Sequence, residues 1–321
     1  MARFSLPPRE IPTSGDDSPA QSLVRYVWRM SGRHQILVCL LALAVAALTM
    51  VPLELQRRII NGALEMKQFE PLITLGAIYL GVLIVQALLK YLLRLYQSWL
   101  SESAILYNRS HLARLHDQHL ADERDEENGR AVSIIGAEID RLGGFVGEGF
   151  SQPVVNLGML LAIGGYMLVV EPMVAAVSLL VLVPQVILVP IIQHKLNELI
   201  ERRLDLLRSM SDSISELHGE GKDAEEIALL PQLRDIYHNR VAIYAVKFLM
   251  KGLINLLNNL APLVVLMVGG YMVIQGESTV GVVVAFISGV QRLVDPVREL
   301  MNYYRVAAQA NVQHSMIARW M

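Results

Sequence analysis

Apolar residues are grouped into six long runs along this 321-residue chain, and polar residues separate the runs. A helix needs roughly 20 apolar residues to cross the hydrocarbon core of a bilayer. Five runs are close to that length, and in the shorter sixth the helical spacing of apolar residues continues to Tyr304. The pattern predicts an all-α membrane protein with six transmembrane helices, at about 36–55, 72–93, 153–170, 173–192, 248–274 and 280–294.

The third and fourth runs are separated by Glu171 and Pro172 alone, so their helices are expected to be antiparallel. Away from this turn the chain continues into two charged segments, the first arm (94–148) and the second arm (193–247). Apolar residues recur in both arms every three or four positions, which is typical of antiparallel helices packed along a seam. Each arm is predicted to fold back on itself and to reach roughly 35–40 Å from the membrane.

Basic residues indicate the orientation in the membrane. They are concentrated at the run ends that face the arms, whereas the opposite side carries Lys67, with Arg57 and Arg58 at a run end. Positive residues favour the cytoplasmic side, so both arms and both termini of this inner-membrane protein are expected in the cytoplasm.

Residues 1–20 are expected to be a disordered leader. Residues 21–34 are expected to form an amphipathic helix on the inner surface, with a solvated helix as the alternative.

Composition supports the membrane assignment. The chain is 53% hydrophobic and 18% charged, whereas soluble domains average about 45–50% and about 25%. A formal net charge of −2 gives no reason to expect nucleic-acid binding. The single Cys39 excludes a disulfide framework and a thiolate metal site.

Catalytic motifs are absent from the sequence. The nearest string to a phosphate-binding loop is Gly221-Lys222, but Glu216 replaces the first glycine and Asp223 replaces the Ser or Thr. The glycines at 143–147 are interpreted as close helix packing. The chain alone is therefore expected not to be an enzyme and not to hydrolyse ATP.

Histidines within the first arm raise the question of a metal site. Two of them share a helix face and a third is set apart, so a solvated helix face is favoured and no metal is expected; the residues weighed are His111, His116, His119, Asp117 and Asp122.

Polar residues within the apolar runs are candidates for a translocation path, because such groups normally face the bundle interior or an aqueous cavity. Asn255, Asn258 and Asn259 form one helical patch, and Gln185 and Asn156 join them as candidates. The alternative is hydrogen bonding between helices without a role in transport.

The turning points of the two arms are strongly charged. The first tip, 121–128, reads ADERDEEN, and the second tip, 218–226, reads HGEGKDAEE. Long helical levers cost conformational entropy and have no use in a simple channel, so contact with a cytoplasmic partner is expected. Solvated loop tips are the alternative.

This layout resembles the transmembrane domain of an ATP-binding cassette exporter of the type IV, six-helix kind, from about residue 21 to the last residues. Local agreement lies in Pro52 with RRIINGA at 57–63, in Gly129, Ser133, Asp140-Arg141 and Phe145-Val146 after the first tip, in Glu216 before the second, and in 315–319. The chain departs from the family at Ile134, where Arg is common, at Glu138, where Asp is usual, and in its charged second tip.

The resemblance implies an elbow helix at 21–34 and one transmembrane domain at 35–321. It implies a dimer with a second transmembrane domain, identical or different, whose fourth and fifth spans cross over. Closure of two nucleotide-binding domains on ATP and Mg²⁺ would move the tips and switch the bundle. The ATPase would lie on another chain or in a missing C-terminal domain.

The function expected from the resemblance is that of a permease that exports a solute. The alternative is a membrane scaffold or regulatory subunit that keeps this fold without transport. Substrate and direction stay open. The residues expected to couple to the ATPase are Asp122, Glu123, Arg124, Asp125, Glu126, His218, Glu220, Lys222 and Asp223.

Overall fold

The computed structural model describes residues 6–11, 22–64, 69–119, 139–216 and 222–320. Within these ranges the regular structure is entirely helical, which confirms the predicted all-α fold. A π-helical turn, Ile59–Leu64, continues the third helix. In chain order the α-helices are α1 (Leu23–Ser31), α2 (His34–Leu48), α3 (Val51–Arg58), α4 (Phe69–His119), α5 (Ile139–Glu148), α6 (Ser151–Val170), α7 (Pro172–Glu216), α8 (Lys222–Ile274) and α9 (Val280–Trp320).

Six helical stretches in the described ranges are long and apolar enough to cross a membrane, and each contains one predicted run. They have 29 to 46 residues, although about 20 suffice for a bilayer. The predicted multi-pass membrane protein is therefore confirmed; the stretches are His34–Gly62, Phe69–His111, Ile139–Val170, Pro172–Ile214, Leu229–Ile274 and Val280–Ser315.

The longest helices far exceed the thickness of a membrane. At 1.5 Å per residue, the 51 residues of α4 span about 77 Å and the 53 residues of α8 about 80 Å. The hydrocarbon core measures about 30 Å. The helical extensions predicted from the periodicity are present. The first tip and residues 218–221 of the second tip lie outside the described residues.

The described chain divides into two compact units, one up to Pro172 together with the residues from Met272 onward, and one from Met173 to Tyr271. In the first unit α9 packs on α3 and α6, and α2 packs on α4 and α6. Gly289 allows the close approach of α9, because a Cβ there would lie 3.1 Å from the sulfur of Met167. The buried core of this unit includes Phe286, Leu53 and Ile163.

Helix α1 is amphipathic, as its sequence predicts. Ser22 caps its N-terminus by accepting a hydrogen bond from the Arg25 amide. Its apolar face (Leu23, Tyr26, Val27, Met30) is buried against α4, α5 and α9, while Trp28 is exposed. The helix ends at Gly32, whose φ of 53° favours glycine. Its location at a membrane surface stays a prediction.

Six residues of the expected leader, 6–11, have a defined place in the structure. The Arg9 amide donates to Ser103 Oγ at 3.1 Å, and Trp99 Nε1 donates to the Pro7 carbonyl at 2.9 Å. Ile11 is 8% exposed, within the apolar cluster around α1. The apolar and backbone groups of residues 6–11 therefore find partners on α1 and α4, and the disorder expected of the leader as a whole stays a prediction.

Candidate functional site

A polar pair lies within the apolar runs of α7 and α8. Gln185 Nε2 donates a hydrogen bond to Asn258 Oδ1, and Gln185 is 4% exposed. In hydrocarbon an unpaired amide costs free energy that water would otherwise offset. The two side chains satisfy each other at the level of the membrane, so the pair fixes the contact between the two helices there.

A second polar contact joins the same helices far from the membrane. Gln232 Nε2 on α8 donates to Ser213 Oγ on α7 at 2.9 Å. Ser213 is 28 positions after Gln185, and Gln232 is 26 positions before Asn258. The two contacts show that α7 and α8 run antiparallel, with about 40 Å of helix between the contacts. The second arm therefore folds back on itself as predicted.

The predicted translocation residues are only partly brought together. Gln185 and Asn258 are in contact, whereas Asn255 and Asn259 are exposed one turn apart on α8. Asn156 lies on α6, in the other unit, and its Nδ2 donates to the Gln152 carbonyl at 2.9 Å within its own helix. The path itself stays a prediction.

The predicted coupling residues fall largely outside the described part of the chain. Lys222 and Asp223 are the first two residues of α8, and their side chains are not described. The seven others lie outside the described ranges: Asp122, Glu123, Arg124, Asp125, Glu126, His218 and Glu220.

Among the described residues, no group of three or more His, Cys, Asp and Glu side chains is placed to hold a metal ion. Of the histidines considered in the sequence, His111 stacks on Tyr107 with ring centroids 6.1 Å apart. The side chains of His116 and His119 are not described.

An ion-pair network at the end of the first span was not singled out as a unit by sequence reasoning. Glu54 accepts from Arg57 Nε and Nη2, each at 2.8 Å, and from Arg58 Nε at 2.6 Å. Tyr166 of α6 donates its hydroxyl to the same carboxylate at 2.9 Å. Charge-assisted bonds of this kind compensate a carboxylate next to apolar surroundings. Arg57 and Arg58 follow Glu54 by three and four positions, a spacing from which helical ion pairs can be predicted. Tyr166 is 112 positions away, so its contact with Glu54 could not be predicted from the local sequence.

Asn61, in the π-helical turn, connects the first span to the last. Its Nδ2 donates to Thr279 Oγ1, and its Oδ1 accepts from the Gly281 amide, both at 2.8 Å. Amides in the first turn of a helix lack intrahelical partners, and Asn61 supplies one for α9. Gly281 has no room for a side chain, since a Cβ would lie 2.3 Å from Asn61 Oδ1 and 2.6 Å from the Arg57 carbonyl.

A cavity of about 550 Å³ lies between α4, the region from α5 to the start of α6, and α9. Two of its carboxylates are held by arginines of α4, with Arg94 2.8 Å from Glu148 and Arg109 2.7 Å from Asp140. The rings of Phe145 and Tyr303 stack in its wall, with centroids 6.2 Å apart. The lining also carries Glu102, Glu299, Arg141 and Gln313.

Comparison with known proteins identifies a similar protein. No family model matches the chain. The chain is similar to the putative multidrug export ATP-binding/permease protein YgaD of Bacillus subtilis (strain 168), with 25% identity over 254 residues, which cover 72% of this chain and 42% of that protein. The chain thus spans less than half the length of this relative. The likeness and the six apolar helices fit a transmembrane domain of the ABC transporter class.

Proposed function

We propose that this chain is the permease part of an ATP-driven exporter and moves a solute by alternating access. ATP and Mg²⁺ bind to a nucleotide-binding domain carried by another chain or by further sequence, and this chain contributes no catalytic residue. The name of the relative, which joins ATP binding and permease in one protein, supports this division, since only 42% of that protein is covered.

The observation that carries the proposal is the antiparallel pair of α7 and α8, joined by two polar contacts. Its two polar contacts lie about 40 Å apart along the helices, one within the membrane runs and one near the second tip. Contacts this far apart allow the pair to carry a displacement along its length, with Pro190 of α7 as the position between them where that helix can bend. A push at the tip therefore reaches Gln185 and Asn258 within the membrane.

Charged tips suit contact with a soluble ATPase. In the proposed cycle, closure of two nucleotide-binding domains displaces both tips, and the arms carry that displacement to the spans. The first tip offers carboxylates at 122, 123, 125, 126 and 127, and the second offers Lys222 and Asp223.

A second transmembrane domain completes the proposed machine. The separate unit formed by residues 173–271 supports an arrangement in which the fourth and fifth spans pack on a partner copy. The proposal includes a homodimer or a heterodimer, in the inner membrane, with the arms in the cytoplasm.

Co-expression with a candidate ATPase domain tests the proposal. The full chain should capture the ATPase in detergent, and ATP should drive solute flux in vesicles. Reversal of charge at the tips, with Asp125→Lys and Asp223→Lys together, should lower ATP-driven flux at least tenfold. Glu277→Lys, at the opposite ends of the spans, is the matched control and should leave flux unchanged.

Two outcomes would count against transport. Failure to form a complex, together with no effect of the tip variants, would remove the coupling role. A stable complex that hydrolyses ATP but moves no solute would instead indicate the scaffold.

A further inference from the structure

An apolar groove of about 390 Å³ lies between α2, α4 and Leu6. Its lining consists of four leucines and two aromatic rings: Leu6, Leu41, Leu92, Leu95, Tyr96 and Trp99. The volume lies within the range of roughly 300–1,000 Å³ that is usual for small-ligand sites. Because the lining carries no charge, it favours an apolar occupant.

The polar atoms of the two rings are already hydrogen-bonded within the protein. Trp99 Nε1 donates to the Pro7 carbonyl at 2.9 Å, and the Tyr96 hydroxyl is hydrogen-bonded to His34 Nδ1 at 2.6 Å. The two rings stack with centroids 5.7 Å apart and an interplanar angle of 12°. The groove therefore has an aromatic wall that presents ring carbon to its occupant.

The groove crosses the level at which two membrane runs end on the side of the arms. Leu41 lies five positions inside the first run, and Trp99 follows the second run by six positions. At 1.5 Å per residue, the groove extends from about 8 Å inside the apolar runs to about 9 Å beyond them. Trp and Tyr are enriched at this boundary, where the acyl chains of a phospholipid meet its headgroup.

Arg9 places a positive charge at the outer end of the groove. Its amide donates to Ser103, four positions beyond Trp99, and its Nη1 donates to the Met30 carbonyl at 2.5 Å. The guanidinium is close enough to Tyr96 for an electrostatic interaction. Within the described ranges Arg9 has no ion-pair partner. A guanidinium of this kind at a membrane surface attracts anionic lipid, and its remaining N–H groups can bind phosphate oxygens.

We propose that this groove binds an anionic phospholipid from the leaflet on the side of the arms. One acyl chain lies along Leu41 and the aromatic wall, and the phosphate pairs with Arg9. A zwitterionic lipid carries its own cationic group, which offsets the attraction to Arg9. The bound lipid joins residues 6–11 to α2 and α4 at the membrane surface. This inference goes beyond the transport proposal and does not depend on it.

Fluorescence of Trp99 in the full chain tests the site. The chain has three tryptophans, and replacement of Trp28 and Trp320 by phenylalanine leaves Trp99 as the reporter. The reporter chain is placed in phosphatidylcholine nanodiscs that contain phosphatidylglycerol or phosphatidylcholine brominated on one acyl chain, since bromine quenches nearby tryptophan. The brominated phosphatidylglycerol should reach half-maximal quenching at a fraction about three- to fivefold lower than the brominated phosphatidylcholine does.

Substitutions in the reporter chain separate the charge from the groove. Arg9→Gln should bring the two lipids to equal quenching, whereas Arg9→Lys keeps the charge and should retain most of the difference. Arg202→Gln, the same loss of charge in the other unit, is the matched control and should leave the difference unchanged. Leu41→Phe fills the groove and should lower quenching by both lipids.

Equal quenching by the two lipids in the reporter chain would overturn the proposal, as would a difference that persists in Arg9→Gln. Protection of Trp99 from both lipids would overturn it too, and would indicate that protein, such as a second copy of the chain, covers the groove. The emission maximum of Trp99 without bromine identifies a variant that has lost its local fold. If Arg9→Gln is such a variant, Arg9→Met takes its place, because it keeps the length of the side chain without the charge.

Discussion

Substitution of Gly281 by alanine should destabilise the protein although alanine is the better helix former. Its Cβ would lie 2.3 Å from Asn61 Oδ1 and 2.6 Å from the Arg57 carbonyl. Overpacking of this kind costs about 1–3 kcal/mol, and displacement of the Asn61 acceptor costs about 1 kcal/mol more. The higher helix propensity of alanine offsets about 0.5–1 kcal/mol of this cost. The net loss is about 1–3.5 kcal/mol.

The matched control is Gly164→Ala, in a helix of the same unit. No atom outside the local backbone lies within 4 Å of a Cβ at Gly164. This substitution should therefore be neutral or stabilising by up to about 1 kcal/mol. The two changes have the same chemistry, and the expected effects have opposite signs.

The free energy of unfolding of the full chain in mixed micelles, titrated with SDS, measures both variants. Asn61→Ala in the Gly281→Ala background should relieve only part of the clash. It removes the Asn61 side chain, but the carbonyl of Arg57 stays in place. Equal stability of Gly281→Ala and Gly164→Ala would refute the contact between the first and last spans.

Three further predictions concern other contacts. Gln185→Leu should cost about 0.5–2 kcal/mol in SDS unfolding by leaving Asn258 unpaired, and a second change, Asn258→Leu, should recover most of it. Cysteines replacing Ser213 and Gln232, in a chain with its natural cysteine changed to serine, should be joined within one chain by a short bifunctional maleimide. Burial raises the pKa of Tyr26, against the opposing effect of its Asn108 hydrogen bond; above about pH 10 the unfolding free energy should fall more steeply for the wild type than for Tyr26→Phe.

The crosslinking and pH predictions each have a control. A cysteine at Arg234, on the opposite face of α8 from Gln232, should crosslink poorly to Ser213, and equal yields would contradict the register. For Tyr26, the sign follows from the raised pKa. The folded state retains the phenol proton that the unfolded state releases, so stability is full below the unfolded pKa and is lost as the pH rises. Parallel pH profiles of wild type and Tyr26→Phe would contradict burial of the phenol.

Local patterns along the sequence were enough to predict the helices. Bilayer hydrocarbon forces backbone groups to bond within a helix, so the length of each apolar run predicts a span, as at 72–93 and 248–274. The three- and four-residue periodicity of the second arm predicted its return, and the contact between Gln232 and Ser213 shows that return. The apolar stripe on α8 is not the contact face, since Leu230, Tyr237 and Phe248 are exposed. The packed residues 6–11 could not be anticipated, since their partners, Ser103 and Trp99, lie about 90 positions away in the chain.

The candidate sites were predicted less completely than the helices. Gln185 and Asn258 were recognisable as polar residues in apolar runs, but periodicity does not say that they meet. The cavity residues Glu102, Glu299 and Gln313 look like ordinary polar positions of long helices, and only the packing of α4, α5 and α9 groups them.

Run length, periodicity and charge by themselves determined six spans with long helical extensions, because each of these is a property of neighbouring residues in one segment. Only the tertiary structure decided which helices touch: Tyr166 on Glu54, and Asn61 on Gly281 across 220 positions. An apolar helix face can pack against many partners at similar free energy. The specific hydrogen bonds and the missing side chains of glycines select among them, and their effect appears only when distant segments come together.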